Sequence, residues 1–151
     1  MLRTIIADTS CFIILSKIDQ LDILKKVYKS VTTTFEVAKE FGDTLPDWVE
    51  IASPKDKSKQ RILEIQLDIG EASAIALALE IPNSTIILDD FKARLIAEKL
   101  GLSVTGTFGV IIKAKKTGII SSVKPLLDKI KRTDFRISSE LENLILKEAG
   151  E

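Results

Sequence analysis

The sequence predicts an α/β domain in which a parallel sheet is covered by helices on both faces. Two features predict it. Short apolar runs rich in β-branched residues, such as Arg3 to Ala7 and Ser84 to Leu88, end abruptly in aspartates. Each is followed by a stretch with apolar residues at three- and four-residue spacing, the periodicity of an amphipathic helix. Strands that alternate with helices in this way build parallel sheets. A length of 151 residues with 45% hydrophobic side chains is one domain with enough apolar material for a core.

In chain order, the run Arg3 to Ala7 reads as a buried strand cut off by Asp8-Thr9-Ser10. Ser10 to Ile18 and Leu21 to Tyr28 carry helical spacing, Ser30 to Thr34 is a short β-rich run, and Phe35 to Phe41 is helical up to Gly42. Trp48 to Ala52, between Pro46 and Pro54, suits a brief edge strand. A Lys-rich link from Lys55 to Arg61 merges into a helix through Leu67. Gly70 to Ile81 is a tightly packed, Ala-rich helix ended by Pro82-Asn83. Ser84 to Leu88 is the clearest strand, running into Asp89-Asp90, and the helix Phe91 to Leu100 stops at Gly101. A strand from Leu102 to Thr105, a turn at Thr105-Gly106-Thr107 and a helix to Lys116 follow. Helices Ser122 to Arg132 and Ser138 to Ala149 complete a single domain over residues 1–151, the C-terminal helices of about 122–149 packing on the rest.

Composition restricts the chemistry. The chain has no histidine and one cysteine, Cys11, so catalytic triads, imidazole acid–base chemistry, His- or Cys-rich metal sites and an internal disulfide are excluded. No apolar run reaches the roughly 18 residues of a membrane span. Without a targeting signal, a cytoplasmic protein is the expectation.

Ligands of parallel sheets bind outside the carboxyl ends of the strands. Asp8 follows the first strand, Asp89 and Asp90 follow the best later strand, and Glu71 opens the small-residue helix. Glu36 and Glu40, four residues apart, share a helix face. Carboxylates that converge repel one another unless protons or cations fill the space. Oxygen ligands suit Mg²⁺ or Mn²⁺, which can polarise a phosphoryl oxygen and acidify bound water. Each acid also has a plain structural reading: Asp8, Asp89 or Asp90 as helix caps, Asp68 with Glu71 as a capping box, and Glu40 as a surface residue beside Lys39. Ser10 and Thr9 offer hydroxyls beside Asp8, and Thr105 and Thr107 offer theirs at a strand-to-helix turn without P-loop spacing. Cys11 reads as a small core residue.

Lys plus Arg equals Asp plus Glu at 22 each, yet residues 111–136 hold eight basic side chains and two acidic ones. That excess of six positive charges, including Lys113, Lys115 and Lys116, could track a nucleic-acid backbone beside the acids. Ordinary solvated helix faces are the alternative.

The order IIADTSCFIILSKI, FEVAKEF, DIGEASAIALALE, IILDDFKARLIAEKLGL and VTGTFGVIIKAKKTGII resembles a subgroup of the PIN-domain family that includes toxin ribonucleases of VapC type. The resemblance covers nearly the whole chain. It implies Mg²⁺- or Mn²⁺-dependent cleavage of single-stranded RNA, a homodimer, and, for toxin members, a small antitoxin protein that occupies the pocket. It places Asp8, Glu40, Glu71 and Asp90 in the catalytic positions, with Glu40 preferred to Glu36 for its Val-x-x-Glu context. Asp8, Glu71 and Asp90 would hold the metal, with Asp89 a second candidate for the last position. Ser10 and Thr107 are supporting hydroxyls. Two other readings stay open. One is a catalytically silent PIN-like module that binds RNA or protein. The other is a phosphatase or receiver-like domain, which would want an acid two residues after Asp8, where Ser10 stands.

Overall fold

In β1 (Thr4–Ala7), Ile5 and Ala7 face one side of a sheet and Ile6 the other, and all three are buried. A strand buried on both faces needs helices on both faces, and the computed structural model, which describes residues 3–151, supplies them. After β1 come α1 (Thr9–Lys17), α2 (Asp22–Tyr28), β2 (Val31–Thr33), α3 (Phe35–Phe41), β3 (Val49–Ile51), α4 (Lys57–Leu63) and α5 (Ile69–Glu80). The second half runs β4 (Ser84–Ile87), α6 (Phe91–Lys99), β5 (Ser103–Thr105), α7 (Thr107–Lys116), α8 (Lys124–Lys131) and α9 (Ser139–Glu148). The strands form one parallel sheet in the order β3-β2-β1-β4-β5, with Ile6 in register with Thr32 on one side and Ile86 on the other.

Ile5, Ala7 and Ile87 lie against Phe12 and Leu15 of α1, Leu24 of α2 and Ile111 of α7. Leu127 and Ile130 of α8 and Ile145 of α9 belong to the same apolar cluster. On the other face, Ile6, Ile86 and Leu88 lie with Ile75 of α5 and with Ala93 and Ala97 of α6. Burying an isoleucine or phenylalanine of this kind contributes about 1.5–3 kcal/mol, so the two layers dominate the stability.

Residues 70, 72–78 of α5 are all buried, which its small side chains permit by letting α3, α4 and the sheet approach closely. The expected helix through Leu67 ends earlier, at Leu63, and the chain turns through Glu64–Leu67 so that Asp68 can start α5. The expected start of α8 at Ser122 moves to Lys124, because the Glu151 carboxylate accepts hydrogen bonds from the Ser122 hydroxyl and the Val123 N–H, both at 2.6 Å. No helix among the described residues is long and apolar enough to cross a membrane.

Candidate functional site

From the adjacent strands β1 and β4 the chain proceeds to opposite sides of the sheet, to β2 and to β5. Such a reversal opens a crevice at the carboxyl ends of the two strands. Asp8 is the first residue beyond β1, and its N–H donates to the Ile87 carbonyl at 3.1 Å. Asp89 and Asp90 follow the end of β4. The sheet order therefore brings the first acid and the doublet to one crevice.

Asp8 occupies the N-cap position of α1 yet makes no capping hydrogen bond. Its side chain is buried and Oδ1 has no hydrogen-bond partner. Burial is the main reason its pKa is pushed up to about 8; the Thr9 N–H opposes the shift, and the charges of Glu71, Asp68 and Glu40 add to it. The adjacent Thr9 hydroxyl is likewise buried and unpartnered. Buried polar atoms are nearly always satisfied in folded proteins, so these two adjacent oxygens, like Gln60 Oε1 beside Glu36, are exceptions with acceptor capacity to spare.

Glu40 reaches this place across α5. A Cβ on Gly70 would stand 2.9 Å from Glu40 Oε2 and 3.4 Å from Thr9 Oγ1, so glycine is what lets both oxygens lie over the first turn of α5. Helices α3 and α5 are pinned together by hydroxyls: Ser73 donates to the Gly70 carbonyl at 2.8 Å, which leaves Thr34 as the donor in their 2.7 Å contact. Gly42, at φ +77°, takes the chain out of α3 directly after Phe41. Glu36, on the same helix, is engaged elsewhere, accepting from Gln60 Nε2 at 2.7 Å. Glu71 forms the capping box with Asp68, whose Oδ1 accepts from the Glu71 N–H at 2.8 Å. Partial burial, then the charges of Asp68, Asp90 and Glu40, raise the Glu71 pKa to about 7.

The doublet divides its work. Asp89 Oδ1 accepts from the Thr107 N–H at 2.7 Å, while Oδ2 accepts from the hydroxyls of Ser10 at 2.8 Å and Thr107 at 2.6 Å. Asp89 thus ties the end of β4 to α1 and α7, and Ser10 and Thr107 serve that tie rather than Asp8. Asp90 Oδ2 accepts from the Ala93 N–H at 3.0 Å, capping α6, and its charge is among those acting on Glu71.

Among the described residues, no three acids stand close enough around one point to ligate a metal as they are placed. Their chemistry nonetheless fits one: the donors are all oxygens, two buried oxygens lack partners, and none of Asp8, Glu40, Glu71 or Asp90 has an ion pair among the described residues. Carboxylates such as Asp8 and Glu71, held protonated by burial and neighbouring charge, can take a hard divalent cation in place of protons.

The lysine flank expected beside the acids lies elsewhere. Helix α7 begins at the acid edge, where Thr107 meets Asp89, and rises about 1.5 Å per residue away from it. Lys113, Lys115 and Lys116 fall in its last turn, towards the opposite edge of the sheet. There Lys113 Nζ sits 4.9 Å from the centre of the Tyr28 ring, and Lys115 pairs with Glu151 at 3.0 Å. Beside Asp89 stand two arginines, Arg94 and, from the expected basic stretch, Arg136. Arg94 and Arg136 line a cavity of about 600 Å³ together with Asp89, Phe91, Phe108 and Phe135. Arg94 donates to the Leu88 carbonyl at 2.9 Å. Its place one helical turn after Asp90 was the available sequence signal; Arg136 comes from the segment between α8 and α9, whose return to this edge no local pattern encodes.

A family model described as a PIN domain matches residues 4–151. No curated protein and no solved structure matches the chain. With the match spanning nearly every residue and the parallel sheet in place, the chain belongs to the PIN-domain family.

Proposed function

We propose that this protein is a Mg²⁺- or Mn²⁺-dependent endoribonuclease acting on single-stranded RNA. PIN domains are in general nucleases, which supports hydrolysis of a phosphodiester as the reaction class. The observation that carries the reading is Asp8: buried, unpartnered at Oδ1, and acted on by the charges of Glu71, Asp68 and Glu40. A side chain held at that cost to stability needs a function in the filled site.

In this reading Asp8, Glu71 and Asp90 hold the cation, Glu40 adjusts its position across Gly70, and Asp89 keeps Ser10 and Thr107 in place. The cation, when bound, neutralises charge on the scissile phosphate and acidifies water. Arg94 and Arg136 attract the phosphates of the strand, and the exposed ring of Phe91 offers a face on which an unpaired base can stack. Asp8→Asn should lower cleavage of a labelled single-stranded RNA at least about a hundredfold in Mn²⁺, with a fold unchanged by circular dichroism. Cleavage that persists in the variant, or in wild-type protein with EDTA, contradicts the reading.

The capping roles of Asp90 and the Asp68–Glu71 box favour one rival, a PIN-like module without cleavage activity that binds RNA or protein. It predicts RNA retention without cleavage under every metal condition. A toxin role, with an antitoxin protein over the acids and a homodimeric assembly, is a further proposal consistent with the ribonuclease reading.

A further inference from the structure

Opposite the acids, at the edge where the strands begin, lies a second cavity of about 460 Å³ that the proposed cleavage does not use. Three cations from separate segments line it: Arg3 ahead of β1, Lys29 after α2, and Lys113 in the last turn of α7. The hydroxyl-bearing residues Ser30, Thr85 and Ser103 line it as well, and among the described residues no carboxylate does. Glu50 lines an adjoining cavity that shares Arg3, Ile5 and Ser30.

These cations are held but not neutralised. None of the three has an ion pair among the described residues. Arg3 uses Nη1 on the Ser84 carbonyl at 2.8 Å and the Thr85 hydroxyl at 3.3 Å, which leaves Nε and Nη2 without a protein acceptor among the described residues. Lys113 is steadied over the Tyr28 ring. Lys29 is the C-cap of α2, at φ +70°, its N–H donating to the Lys25 carbonyl at 2.7 Å. All three are exposed, so water weakens their mutual repulsion, and an anion drawn among them would lower it further.

We propose that this cavity binds the phosphate group of a small phosphorylated ligand of mononucleotide size. A phosphate offers the charge and the many acceptor positions that three cations and a set of hydroxyls can satisfy together, and the volume lies in the range of small-ligand sites. The site includes none of Asp8, Glu40, Glu71 or Asp90, although Val104, Thr105 and Gly109 line both it and the arginine-lined cavity, so Asp8→Asn separates its fate from that of the proposed cleavage.

The test is calorimetric titration of the full chain, in EDTA and low salt, with inorganic phosphate, adenosine 5′-monophosphate and adenosine. Wild type and Asp8→Asn should bind phosphate and the nucleotide equally, and adenosine should not bind. A double variant, Arg3→Gln with Lys113→Gln, should bind both at least about tenfold more weakly while melting at nearly the wild-type temperature. Amide shifts on phosphate addition should centre on Ser30, Thr85 and Ser103. Absence of phosphate and nucleotide binding up to about 10 mM, unchanged affinity in the double variant, or equal binding of adenosine would each overturn the proposal.

Discussion

At the scale of single residues, Asp8 and Gly70 make separable predictions. The native protein keeps the Asp8 proton up to about pH 8, whereas the unfolded chain releases it near the ordinary value of 3.8. Between those values the native state binds more protons, so the free energy of unfolding must fall as pH rises through that window. Glu71, raised to about 7, adds to the slope by less, because it is partly exposed. Asp8→Asn should therefore stabilise the metal-free protein by about 2–4 kcal/mol at pH 8 and hardly at all at pH 4, as read by urea denaturation. Gly70→Ala should behave differently. The added Cβ meets the flexible end of Glu40, which can move aside, and alanine favours the helix by up to about 1 kcal/mol. The variant should fold at least as stably as wild type while losing Mn²⁺ affinity, measured by a metal-induced melting shift. The importance of Asp8 was legible in the sequence, from its place after a strand. That of Gly70 was not, because close approach between two helices leaves no mark in local spacing.

At the scale of elements, the structural and functional readings of the acids separate by position. The capping box of Asp68 and Glu71 was legible from its three-residue spacing, and so was Asp90 as a cap of α6. The role of Asp89 was not, since its partners Ser10 and Thr107 lie 79 and 18 residues away. Asp89→Ala breaks three hydrogen bonds to a charged group and leaves the buried Thr107 hydroxyl unsatisfied, which should cost about 2–4 kcal/mol. Asp90→Ala removes one cap and should cost about 1 kcal/mol. Thermal or chemical denaturation of the two variants should therefore rank Asp89 as the greater loss of stability, while Asp90→Ala shows the greater loss of metal response. The ends of α4 and α8 were misplaced by the sequence reading for a similar reason. A turn before Asp68 and a clamp by Glu151 set them, and both depend on what the neighbouring chain does next.

For the whole molecule, alternating strands and helices were enough to foresee a parallel sheet covered on both faces, because that pattern has few folded solutions. The order β3-β2-β1-β4-β5 was not written in any one segment, yet it decides everything about the site. It sets β1 beside β4, joins Asp8 to the doublet, and sends α7 away from the acids with its lysines. Charge counted along residues 111–136 placed a basic flank beside the acids; of that flank folding brings Arg136 to the cavity of Asp89, adds Arg94 from α6, and leaves Lys113 at the far edge.

The central claim is that the crevice acids around Asp8 form a divalent-cation site, and a thermal melt at pH 8 with and without Mn²⁺ tests it most directly. Binding to the native state alone at about a hundred times Kd should raise the wild-type melting temperature by about 5–10 °C. Asp8→Asn, more stable without metal, should show little further rise. An equal rise in both proteins, or none in either, would contradict the account.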